Sequence, residues 1–177
     1  MIDSSERYGT NRKQSNTINY ITYGIVALVL ALIHLTFLRF IAFGGLTPDL
    51  LLILCIFIAL KEGQFTGLFF GFGIGLFIDI ISIDLIGTNA LAKTIAAFIA
   101  GFFFKEGKAK LLIGSYKFLI ILFVCSLVHN AIYFFFYIKP TEISFIHFFI
   151  KYGIAVSLYT TVFGIFLMLW NFPRKIV

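Results

Sequence analysis

"GQFTGLFFGFGIGLFID" spans Gly63 to Asp79 and repeats a glycine at every fourth position: Gly63, Gly67, Gly71 and Gly75, with Asp79 in the next place of the series. A glycine inside a helix costs about 0.5–1 kcal/mol relative to alanine. In lipid a gain can offset that loss, because apolar helices associate through close backbone approach and interhelical hydrogen bonds. Four residues turn a helix by about 400°, so the series winds by about 40° per step. The spacing predicts a groove made by Gly63, Gly67, Gly71 and Gly75 that wraps its helix. Such a groove suits a right-handed crossing or two partners at different depths. Phe70, off the series, reads as facing lipid.

The rest of the chain puts that helix in a membrane. Of 177 residues, 60% are hydrophobic and only 12% charged, with a mean hydropathy of +1.03. Soluble domains carry about 25% charged residues. Runs of about 18 or more apolar residues read as membrane helices. The expected fold is an all-α integral membrane protein: a polar head over residues 1–17, then one six-helix transmembrane domain over 18–177.

The expected helices run from Asn19 to Phe40, Pro48 to Leu60, Gln64 to Ile81, Asn89 to Phe104, Leu112 to Ile138 and Phe145 to Trp170. The first is too long for a signal-peptide core, and no small-residue cleavage site follows it, so it is read as retained. The second opens with Thr47 as N-cap, Pro48 at the first helical position and Asp49 favouring the positive helix end. Thr88 or Asn89 is the expected cap of the fourth.

Arg7, Arg12, Lys13, Lys61, Lys105, Lys108, Lys110, Lys117, Arg174 and Lys175 fall on one side of a six-span chain, and only Arg39 and Lys139 on the other. This bias predicts that both termini are cytoplasmic. It also accounts for the net charge of +6 without nucleic acid, since basic turns suit the anionic inner leaflet.

Of the polar residues inside the expected spans, Asp79, Lys93, His129 and Asn130 are the candidate intramembrane groups. Asp79 and Lys93 lie at similar depth. Asp79 can pair with Lys93 or accept a hydrogen bond from Thr88 or Asn89, and Asp84 competes for the lysine. Buried polar groups in membrane helices mark ligand paths or, more often, hydrogen-bond a neighbouring helix. His34 and His147 read as isolated, and no histidine pair has metal-ligand spacing. Cys55 and Cys125 read as small hydrophobic residues. No nucleotide, zincin or hydrolase motif occurs, so neither an enzyme nor a cofactor is expected.

"TPDLLLILCIFIAL", "GLFFGFGIGLFIDIIS" and "LIGTNALAKT" together resemble the bacterial rod-shape-determining protein family MreD. The likeness lies in the Pro48-Asp49-Leu50 helix start, the Gly75-Leu76 and Asp79 close of the glycine helix, and the turn with Ile86, Gly87, Ala90 and Leu91. It covers about a third of the chain, from Pro48 to Lys105. The resemblance implies a non-enzymatic component of the cell-elongation machinery in the bacterial cell membrane. Its implied partners are MreC, the MreB filament, RodA and a class-B penicillin-binding protein. The competing class is the substrate-binding component of an energy-coupling-factor vitamin transporter, also a six-helix protein of this size. For that class Ala27 and Ala31 supply a small-xxx-small pair, and His129, Asn130, Asp79 and Lys93 a sparse polar site.

Overall fold

The computed structural model describes residues 4–36, 42, 46–82, 85–137 and 145–172. The regular elements among them are helical. Helix α1 is Ser4–Thr36, α2 Leu50–Glu62, α3 Gln64–Ser82, α4 Thr88–Gly101, α5 Ala109–Ile113 and α6 Tyr116–Tyr137. A last long element begins as α7, Phe145–Phe148, passes through a π-helical turn at Phe149–Gly153 and continues as α8, Ile154–Trp170.

Among the described residues, four stretches are long and apolar enough to cross a membrane: Thr17–Thr36, Gln64–Ser82, Tyr116–Phe136 and Phe149–Trp170. Helices α2 and α4, of 13 and 14 residues, fall short of that length. They sit among the longer ones. Helix α2 packs against α1, α3, α4, α5, α6 and α8. Leu52, Cys55, Ile56, Ile58, Ala59 and Leu60 on it are fully buried. A helix apolar on every side belongs in an interior, and α2 forms the core of this one.

Several boundaries differ from expectation. Helix α1 starts at Ser4 and runs through the polar head. No proline interrupts residues 4–36, so the apolar half propagates its helix backwards. The expected fifth helix is broken at Gly114 and Ser115, where Ser115 Oγ donates to the Leu112 carbonyl at 2.7 Å. That local bond competes with the helix ladder and separates α5 from α6.

The cap of α2 is Asp49, not Thr47. Asp49 Oδ1 accepts from the Leu52 N–H at 2.8 Å, and Thr160 Oγ1 on α8 accepts from the Asp49 N–H at 3.0 Å. The second bond holds the chain out of the helix through Asp49, so Pro48 precedes the cap. For α4 the expected caps Thr88 and Asn89 lie inside the helix. Gly87, at φ +99°, stands before it without a side chain to offer. The capping oxygens come from Asp79.

The glycine series divides by partner. A Cβ built on Gly71 would lie 2.8 Å from the Lys93 carbonyl oxygen, and one on Gly75 would lie 2.6 Å from that of Asn89, both on α4. On Gly67 it would collide with Ala59 of α2. These three glycines form a groove that meets two helices at different depths. Gly63 is outside it. At φ +102° it ends α2, and a Cβ there would meet only the Phe104 ring at an ordinary 3.7 Å. Its glycine serves the turn. Gly101 supplies the reciprocal close approach on α4, over Gln64.

Phe70 is half-buried and does not face lipid alone. Its ring lies 6.1 Å from that of Tyr20 and 5.8 Å from that of Tyr23. Tyr23 also donates to Glu62 Oε1 at 2.6 Å, with Lys61 Nζ 5.2 Å from its ring centre. These contacts tie α1 to the end of α2.

Candidate functional site

Helices α1, α3 and α6 end at the same end of the bundle at which α2, α4 and α8 begin. The polar side chains of the interior gather there. Asp79 is fully buried at the close of α3. Its Oδ2 accepts from the N–H groups of Gly87 at 2.9 Å and Ala90 at 3.0 Å, and Oδ1 from that of Asn89 at 3.0 Å. The first N–H groups of a helix lack intrahelical partners, and a carboxylate there also meets the positive end of the helix dipole. Asp79 is thus used up as the cap of α4.

Lys93 pairs elsewhere. Its Nζ lies 2.5 Å from Asp49 Oδ2, 3.3 Å from Asn89 Oδ1 and 3.3 Å from His129 Nε2. An ammonium has three hydrogens and no acceptor, so the three partners satisfy it. His129 must then accept at Nε2, which puts its proton on Nδ1, 3.4 Å from Asn130 Oδ1. That assigns the tautomer from the network. Asn130 Nδ2 donates onward to Ser157 Oγ at 2.9 Å and the Gly153 carbonyl at 3.3 Å. Ser157 Oγ donates to the same carbonyl at 2.8 Å.

The network therefore joins α2, α4, α6, the π-helical turn and α8 in one chain of donors and acceptors. A π-helical turn displaces backbone groups from the ordinary ladder, and Gly153, whose carbonyl takes two side-chain bonds, closes that turn. With Lys93 only 2% exposed, the interaction is strong and breaking it is costly.

Beside the network lies a cavity of about 430 Å³. Asp49, Asn89, Lys93, His129 and Asn130 line it, with His34 and Thr47. The rings of Tyr133, Phe134, Phe148 and Tyr152 also line it. The His129 and Tyr133 rings are stacked, 6.2 Å apart. Among the described residues no group of His, Cys, Asp and Glu side chains is arranged to hold a metal ion.

The structure thus gathers Lys93, His129 and Asn130 with Asp49, while Asp79 serves the neighbouring turn and the glycines lie deeper along α3. Asp84 and Arg39 fall outside the described residues. Asp49 as the counter-ion of Lys93 was not visible in the sequence, where it reads as a helix start. Nor was His34 as part of the same wall. Ser157 and Thr160, three residues apart in an apolar helix, were the available signal for a polar stripe on α8.

The family model of the rod shape-determining protein MreD matches residues 14–173, nearly the whole chain. The chain belongs to the MreD family. Membership links it to rod shape determination and to the membrane, in a family not known for enzymes. The match extends well beyond the third of the chain on which the motif resemblance rests, taking in most of α1 and all of α6 to α8. No curated protein and no solved structure shows significant similarity to the chain. In this MreD-family chain the Pro48-Asp49-Leu50 start supplies a partly buried carboxylate that holds Lys93, and the Asp79 close a buried one that caps α4.

Proposed function

We propose that this protein is a non-enzymatic scaffold of the machinery that elongates rod-shaped bacterial cells, acting in the cell membrane. The family match over residues 14–173 carries this reading. Supporting it, Asp49, Asp79, Lys93, Asn130 and Ser157 bond to other interior side chains or to the backbone, and the extramembrane turns are short. Such a protein meets partners through its helix faces. The partners proposed are an MreC-like protein and, through it, the MreB filament, RodA and a class-B penicillin-binding protein.

In the proposed topology α2 and α4 complete six crossings with both termini cytoplasmic, on the strength of the Lys and Arg asymmetry. That orientation puts the polar network at the outer end. Labels on the two termini, tested in intact and opened cells, check it; an external terminus overturns the six-span arrangement.

Depletion tests the function. Rod-shaped cells lacking the protein should become round, and purification in mild detergent should recover an MreC-like protein. Cells that keep their rod shape, with no such protein recovered, would refute the scaffold reading.

A further inference from the structure

The segment between α4 and α6 gathers cations at the end of the bundle opposite the Lys93 network. Lys105, Lys108, Lys110 and Lys117 are all exposed there, against one carboxylate, Glu106. Four cations less one anion leave three positive charges in excess. The backbone brings two of the lysines onto one turn. The Lys108 N–H donates to the Lys105 carbonyl at 3.1 Å, across a turn in which Gly107 stands at φ +72°, a conformation that favours glycine. Like charges on one turn repel, and an anion beside them relieves that repulsion. The break at Gly114 and Ser115 adds to the cluster. It lets α5 pack against α2 and α6 with Ile113 buried, which leaves Lys110 and Leu111 exposed at the bundle end.

Apolar side chains are interleaved with these cations. Phe102 and Tyr116 are each 68% exposed, and Phe103 and Leu111 are exposed as well. Tyr116 opens the membrane-length stretch Tyr116–Phe136, so this surface lies where that span leaves the bilayer. An acidic protein in water would match the lysines and leave the rings uncovered. A bilayer surface takes both, with the rings at the edge of the acyl chains and the lysine stems reaching to the phosphates. We infer that residues 102–117 form a binding surface for anionic phospholipid head groups, held there in preference to zwitterionic ones. This surface goes beyond the scaffold reading and does not depend on it. It also goes beyond the charge bias of the turns, which sets orientation only: a local surface makes these lysines matter and cations elsewhere not.

The chain has a single tryptophan, Trp170, so Trp170→Phe with Tyr116→Trp puts one fluorophore inside the surface. The full chain with these two changes is placed in nanodiscs of phosphatidylcholine containing a minor fraction of phosphatidylglycerol, and each lipid in turn is supplied brominated. Bromine quenches tryptophan on contact, so quenching per mole of each lipid reads its local enrichment. A lysine near an anionic surface strengthens association about fivefold, so phosphatidylglycerol should be enriched about fivefold or more.

Lys105→Gln, Lys108→Gln, Lys110→Gln and Lys117→Gln together should bring the ratio to about one at unchanged Tm, because all four side chains are exposed. Arginine at the same four positions should preserve it. Lys151→Gln removes an exposed cation at the other end of the bundle and should leave it unchanged. Salt at about 1 M, where screening acts within about 3 Å, should lower the ratio without any change to the lysines. The inference is overturned by a ratio of about one before the lysines are changed, or by enrichment that survives the four glutamines or high salt. A fall of the same size with Lys151→Gln overturns it too. Polyglutamate that binds the chain in pure phosphatidylcholine nanodiscs, with the lipid enrichment absent, would assign the surface to an acidic protein instead. Cell shape enters none of these readouts, so they fail or succeed apart from the scaffold assignment.

Discussion

Lys93 and Asp49 stand or fall together. Lys93→Met strands a buried carboxylate and Asp49→Leu a buried ammonium, and each should destabilise the protein by about 3–5 kcal/mol. The double variant removes both charges and should recover much of that loss. Thermal unfolding in detergent, read as a double-mutant cycle, checks the coupling. An isolated membrane hydrogen bond is worth about 0.6 kcal/mol on average, which would make His129→Leu nearly silent. His129 is not isolated, however: its loss leaves one ammonium hydrogen of Lys93 unbonded, so the cost should exceed that average. Asp79→Asn replaces one of the two acceptor oxygens by a donor, so at least one of the three N–H groups loses its partner; it should cost about 1–3 kcal/mol, with faster amide exchange at 87–90. The sequence singled out Asp79, Lys93 and His129 as polar groups inside apolar spans, because charges are rare there, and read Asp49 only as a helix start. It did not disclose the pairing, since Asp49 and Lys93 are 44 residues apart and depth alone made Asp79 the natural partner.

Helix α3 contains its own control. Gly71 and Gly73 sit on the same helix, yet a Cβ on Gly71 would meet the Lys93 carbonyl at 2.8 Å and one on Gly73 would meet nothing within 4 Å. Gly73→Ala should therefore be neutral or stabilising by up to about 1 kcal/mol, from helix propensity alone. Gly71→Ala should destabilise, and Gly71→Leu should do so by about 1–3 kcal/mol or more, because backbone in α4 cannot move aside. Phe65→Leu, at a position 74% exposed, serves as the size control that Phe70 cannot. Equal stability of Gly71→Ala and Gly73→Ala would remove the groove from the account. The four-residue spacing made close backbone approach along α3 legible in the sequence, but left open whether it served a right-handed crossing or two partners. It misplaced Gly63, because spacing cannot tell a packing glycine from one required by a positive φ. The hydrogen bond from Asn89 to Asp79 was one of the alternatives the sequence offered, but it did not show that Asp79, from another helix, takes the place of Thr88 or Asn89 as the cap of α4.

The all-helical membrane character of the molecule follows from composition and run length, which are properties of the whole chain. Helix α2 tests that level. Its 13 residues are too few for an unaided crossing, and its interior position makes it the part most dependent on its neighbours. The order in which the chain emerges during synthesis gives this arrangement a further meaning. Asp79 finds its three N–H partners within 11 residues, so α3 and α4 can enter the bilayer as a hairpin whose carboxylate is already quenched. Lys93 depends on Asp49, made 44 residues earlier, and on His129, made 36 residues later. In the proposed six-span arrangement α2 is made before α4 and can supply the carboxylate that neutralises its ammonium. Asp49→Leu should therefore reduce the fraction of nascent chains in which α4 inserts, read from labelling of the 85–87 turn. Asp79→Asn should impair the same step even in chains that keep Asp49, because its defect lies within the hairpin. In the proposed six-span arrangement, Lys93 ties the placement of α4 to that of α2, the helix made before it.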